Sequence, residues 1–191
     1  MSRRMLVALV LLAGCAETSA VRQEPNSRTG MMHGPGHAYL IEAPEGWVLD
    51  TQVGRSMGLY AVFYREGETW RDAEAFMYVN TAAPDRGDSA HAEAVARRDS
   101  LKFVTDNPLI MITEADPILL QNGNHAIVRH FTGDVYGNYE AAVYVPEKTI
   151  TPIFILSARS LIAFEEALPA FEQLVRSYKW LGTKVTIPPR S

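Results

Sequence analysis

The chain has 191 residues, of which 47% are hydrophobic and 21% charged, with a formal net charge of −4 at pH 7. That length suits one domain with extensions, large enough to build a core without disulfides. The mild acidity excludes the basic patch that a nucleic-acid partner requires, and it offers no electrostatic hold on anionic lipid. A single cysteine, Cys15, excludes an internal disulfide.

The first element is a leader. Arg3 and Arg4 precede an unbroken apolar run, Met5 to Ala13. The run fits the roughly 7–15 residues of a signal-peptide h-region and falls short of the about 20 needed to span a bilayer. Leu12-Ala13-Gly14-Cys15 ends it. This tetrapeptide resembles the lipobox of bacterial lipoproteins, [Leu/Val]-[Ala/Ser]-[Gly/Ala]-Cys, at every position. The resemblance implies a signal peptide over residues 1–14, cleavage after Gly14, and a diacylglyceryl group on the Cys15 thiol. Acyl chains contribute about 0.8 kcal/mol per buried CH₂, and two or more of them hold a protein stably to membrane. No thiol then remains for a nucleophile or a metal site. Ala16, where an Asp would favour retention, implies the periplasmic face of the outer membrane by analogy with Gram-negative sorting. Loss of Arg3 and Arg4 with the leader makes the mature chain more acidic by two charges.

Residues 15–36 carry Pro25, Pro35, several glycines and no periodicity, and so read as a lipidated flexible tether. Residues 37–182 read as the folded domain, and residues 183–191, ending in Pro188-Pro189-Arg190-Ser191, as a disordered tail. Within the domain, runs rich in β-branched and aromatic residues predict strands at 39–43, 59–64, 75–80, 109–113, 126–131, 139–145 and 153–158. Asn122-Gly123 predicts a tight type I′ hairpin, and Pro146 to Thr149 another short connection. Connections this short join antiparallel neighbours only.

Two helices stand out. One starts at Asp88 or Ser89 and runs to about Thr105, before Asn107-Pro108. The other starts at Ser160 and carries Leu161, Phe164, Leu168, Phe171, Val175 and Tyr178 along one face. Pro169 predicts a kink in it, or a break followed by a fresh helix. Strands 59–64 and 75–80 are apolar on both faces, so both faces of the sheet need cover. The expectation is an α+β fold, a three-layer α/β/α sandwich around a mainly antiparallel sheet.

Two stretches carry a second resemblance. Tyr39-Leu40-Ile41-Glu42-Ala43-Pro44-Glu45-Gly46-Trp47 pairs a strand with a Pro-x-Gly-Trp turn, and Phe171 to Leu181 forms a closing helix that ends on Ser177-Tyr178-Lys179-Trp180. Together they resemble the PsbP-like family, which includes DcrB-like envelope lipoproteins. The resemblance implies an accessory or binding domain rather than an enzyme, and it transfers no functional residue. Trp47 reads as a core-closing aromatic.

Gly54-Arg55-Ser56-Met57-Gly58 matches the G-x-S-x-G pattern of serine hydrolases, but it leads into a strand where that chemistry needs a strand-to-helix turn. Met31, Met32, His33 and His37 offer soft and imidazole donors suited to copper, on a segment with no rigid scaffold. His125 and His130 are five apart, hence on opposite faces of a regular strand. His91 reads as a solvated first-turn residue, Glu165 and Glu166 as diverging surface carboxylates, and Asp134 to Asn138 as a loop short of calcium ligands. The sequence therefore implies no catalytic residue, no cofactor and no metal site. The expected function is that of a non-enzymatic envelope lipoprotein, anchored through Cys15, that binds another envelope protein or supports assembly. The alternative is a periplasmic small-ligand or metal-binding accessory protein.

Overall fold

The computed structural model describes residues 28–82 and 92–183. The leader, Cys15, the first part of the tether, Asp88, Ser89, His91 and residues 184–191 lie outside them. The chain enters as β1 (Thr29–Gly34), which pairs antiparallel with β2 (His37–Glu42) in the register Met32↔Tyr39. Residues 29–34 are thus a strand, not tether. Two glycines and two methionines hide their β character, and it is the partner strand that fixes them: Met32 is buried in the core while its neighbours Met31 and His33 face outward.

Pro44 to Trp47 then make a type II turn, with the Trp47 N–H donating to the Pro44 carbonyl (3.1 Å) and Gly46 at φ +74°. Trp47 begins β3 (Trp47–Asp50), is buried as expected, and has the Arg65 guanidinium 5.5 Å from its ring. The short α1 (Thr51–Ser56) follows, and then β4 (Ala61–Arg65) and β5 (Ala75–Ala82). Next come α2 (Ala92–Asp106), β6 (Met111–Leu119), β7 (His125–Thr132), β8 (Tyr139–Tyr144), β9 (Thr151–Ala158), α3 (Leu161–Arg176) and β10 (Lys179–Gly182).

Seven strands form one sheet in the order β3-β4-β5-β9-β8-β7-β6, every pair antiparallel. The helix α2 carries the chain from the central β5 to the far edge, and β6 to β9 return as a meander. On one face, Phe164, Ala167, Phe171, Leu174 and Val175 of α3 enter the main core with Phe63, Met77, Phe154 and Leu156. On the other, Ala92, Val95 and Ala96 of α2 pack with Phe131, Tyr144 and Ile153. The α+β sandwich is therefore the one the two-faced strands require. An unanticipated small sheet, β1-β2-β10, joins α3 on its face and adds Met32, Tyr39 and Ile41 to the main core.

Of the two outcomes expected at Pro169, a kink or a break, the break does not occur, and one hairpin differs in type. Pro169 lies inside α3 without dividing it. It sits on the exposed side of the helix, as does Glu165, whose carbonyl loses its N–H partner to the proline ring. The hairpin at Gly123 has a three-residue loop: the Gly123 N–H donates to Leu120 (3.0 Å) and the Leu120 N–H to Asn124 (2.9 Å), with Gly123 at φ +84°. That is a type I turn closed by a glycine bulge rather than a two-residue I′ turn.

The helices are held differently. Few apolar side chains of α2 are buried, and Arg129 of β7 supplies a polar anchor instead. Arg129 is 7% exposed and donates to Ser100 Oγ (2.8 Å), Glu93 Oε1 (3.2 Å) and Glu114 Oε1 (3.5 Å). Asp99 of α2 bonds Tyr144 on the same face, and burial pushes its carboxyl above the usual range.

Candidate functional site

The G-x-S-x-G stretch has a structural explanation. Asp50 Oδ1 caps α1 by accepting from the N–H groups of Gln52 (2.9 Å) and Val53 (2.8 Å). Gly54 lies against β4 so closely that a Cβ there would stand 2.7 Å from Ala61 Cα. Gly58, at φ +74°, reverses the chain after the helix. Ser56 is on the last turn of α1, and its hydroxyl donates to the Val53 carbonyl (2.7 Å). It occupies a helix-to-strand turn, the reverse of a nucleophile elbow.

Beside this turn lies an open cleft of about 570 Å³. The strand β1 supplies Met31, Met32 and His33; α1 supplies Thr51 and Arg55; Leu59 and Tyr60 precede β4; and Asn80 and Thr81 end β5. Behind the cleft runs a chain of hydrogen bonds. His37 Nδ1 is 3.3 Å from the Pro35 carbonyl, which can only accept, so Nδ1 carries the proton. Its Nε2 then accepts from the Tyr60 hydroxyl at 2.8 Å. The Tyr39 hydroxyl lies 3.0 Å from Thr81 Oγ1, and Thr81 also bonds Tyr60. Burial pushes the His37 imidazole below its ordinary 6.5 and the Tyr39 and Tyr60 phenols above 10.0, so all three are neutral at pH 7. Gly34 makes room for the pair, since a Cβ there would stand 2.6 Å from His37 Cε1 and 2.8 Å from the Tyr60 hydroxyl.

The four residues considered as copper donors separate on the hairpin. Met31 and His33 project from one side of the β1–β2 ladder, Met32 and Gly34 with their partners Tyr39 and His37 from the other. Both His37 nitrogens are engaged within the fold. His125 and His130 fall on opposite faces of β7, as their spacing requires. His125 is exposed, and His130 meets Phe164 of α3 edge-on at 5.4 Å in a small hollow. Glu165 and Glu166 are exposed. Asp134 turns its own loop by accepting from the N–H groups of Tyr136 (3.0 Å) and Asn138 (2.7 Å). The sequence singled out Met31, Met32 and His33, and separately the Gly54 to Gly58 stretch, but nothing in it joined them into one cleft, because its walls come from four separate segments.

A second surface lies at the opposite edge of the sheet. Leu109, Met111, Val135 and Tyr136 are all exposed, Leu109 and Tyr136 by more than four-fifths. Asn107 Nδ2 donates to the Gly133 carbonyl (3.3 Å) and Met111 pairs with Thr132, so the α2–β6 and β7–β8 connections adjoin. Leu101 and Val104, on the last turns of α2, are exposed as well. The edge strand β6 is shielded from strand addition by a register shift between Ala115 and Ile118, across Pro117.

Neither a family model nor a curated protein matches the sequence. Among solved structures, the chain is similar to cyanobacterial PsbP (CyanoP) from Synechocystis sp. PCC 6803, with a TM-score of 0.51 and 14% identity over 83% of this chain and 96% of that one. A protein from Bacteroides thetaiotaomicron VPI-5482 aligns over 81% of this chain and 48% of its own, at TM-score 0.45 and 10% identity. The fold is PsbP-like.

Proposed function

We propose that this chain is a lipid-anchored envelope protein whose PsbP-like domain binds another envelope protein, or supports its assembly, without catalysing a reaction. The observation that carries the binding role is the exposed apolar surface around Leu109 and Tyr136. Contiguous apolar patches on soluble domains mark interaction sites, and exposed aromatic side chains are favoured anchors in them. The lipobox supports the location. The structural roles of Gly54, Ser56 and Gly58 remove the one sequence pattern that suggested hydrolysis.

The test is affinity purification of the full chain from detergent-solubilised envelope, wild type against a Leu109→Asp/Tyr136→Asp variant. Both positions are exposed, so the fold should tolerate the change. A discrete protein retained by the wild type and lost from the variant is the expected result. Identical recovery by both would refute the surface. Intact mass spectrometry checks the anchor independently, the expected product being a chain that starts at an acylated Cys15.

A further inference from the structure

The cleft beside α1 lies at the other edge of the sheet from the proposed partner surface, and the charges around it are one-sided. Arg55 lines it from the last turn of α1 and has no carboxylate partner among the described residues. No Asp or Glu lines the cleft. Asp50, which directly precedes α1, is committed to the α1 cap on Oδ1 and to the Tyr64 hydroxyl (2.9 Å) on Oδ2.

Neutral donors stand with Arg55. The Thr51 hydroxyl lies one helical turn before it, and Asn80 uses Oδ1 to accept from the Thr81 N–H (2.8 Å), which leaves its Nδ2 to donate. The rest of the lining is mixed, with Met31, Met32 and Leu59 apolar and His33, Tyr60 and Thr81 polar but without a negative charge. The floor is rigid, because Tyr60 is tied to His37 and Thr81 and Gly34 leaves no slack over them. A guanidinium binds a carboxylate through two parallel hydrogen bonds, and the cleft's volume lies within the range of small-molecule sites.

We propose that this cleft binds a small organic acid, with the carboxylate on Arg55, Thr51 and Asn80 and a short apolar body against Met31 and Leu59. The site is independent of the partner surface, so either can fail without the other.

Equilibrium dialysis of the full chain in zwitterionic nanodiscs, with radiolabelled hexanoate as the probe, tests it. Expected are saturable one-to-one binding to the wild type, weakening of about tenfold or more in Arg55→Gln, and no change in Arg71→Gln, an exposed arginine away from the cleft. Hexanol and hexylammonium should not displace the label. Absence of saturable binding, equal binding by Arg55→Gln, or displacement by hexanol would each overturn the proposal. Uptake by the lipid itself is the same for all three proteins and cancels in the comparison.

Discussion

The two helices cover opposite faces of one sheet by different physics. The helix α3 buries a continuous apolar stripe, with Phe164, Phe171, Leu174 and Val175 almost fully withdrawn from water. The helix α2 buries two alanines and a valine, and depends on Arg129 to tie Ser100 and Glu93 to the sheet. Apolar burial is non-directional and is not weakened by charge screening, whereas an ion pair with exposed partners is screened. One face is thus a fixed core, and the other is the softer side, next to which the exposed apolar surface lies. Elements that take part in binding are commonly drawn from the less stable end of a fold.

Of the two faces, the apolar one under α3 carries the largest expected effect. Phe171→Ala should cost about 3–5 kcal/mol by chemical denaturation, the usual range for deleting a buried phenyl ring. A loss under about 1 kcal/mol would mean α3 is not the core-forming helix. Next in size, Arg129→Met should cost about 1–3 kcal/mol, because Glu93 and Glu114 are exposed and regain water when the guanidinium leaves. Hydrogen exchange should then speed up in α2 well before α3; equal acceleration in both would dissolve the distinction.

A smaller effect belongs to the cleft on the α3 side. Gly34→Ala should cost about 1–2 kcal/mol by crowding and part Tyr60 from His37, bringing the His37 titration, followed by NMR, up toward 6.5. An unchanged titration would show that the pair tolerates the methyl group.

The smallest effect is one of pH, and its sign differs between His130 and Asp99. Burial holds His130, under α3, below its ordinary 6.5. Between that lowered value and 6.5 the unfolded chain binds more protons, so the α3 face loses stability as pH falls through the window. Asp99, under α2, is raised above its ordinary 3.8 by burial. Its contribution is complete below 3.8 and is lost as pH rises through the folded value. His130→Phe should make the stability profile shallower just below pH 6.5, with the share of His37 remaining and the Asp99 limb at lower pH in place; an unchanged slope below pH 6.5 would contradict this assignment.

The parts legible in the sequence are those where local pattern and tertiary structure agree. The stripe from Phe164 to Tyr178, the Ser160 cap and the Pro44-Gly46-Trp47 turn are written in spacing and in turn chemistry. Strands that are apolar on both sides implied a sheet covered twice, and it is. The missed elements lack such signals. The residues of β1, Thr29–Gly34, read as linker because only pairing with β2 makes them a strand. Similarly, α1 is a six-residue helix that depends on the Asp50 cap, with a glycine at its contact with β4. The cleft followed neither rule, since Arg55, Asn80 and Met31 become neighbours only when β1, α1 and β5 are in place. Arg129 was equally hidden: nothing local distinguishes an arginine in a strand from one under a helix.

Photo-crosslinking in cells decides whether the Leu109 surface meets a partner, with a photoreactive amino acid at position 109 compared with one at position 173, on the exposed side of α3. A partner docked on Leu109 and Tyr136 gives a discrete adduct from position 109 and none from position 173. Adducts of equal yield from both positions, or none from position 109, would contradict it.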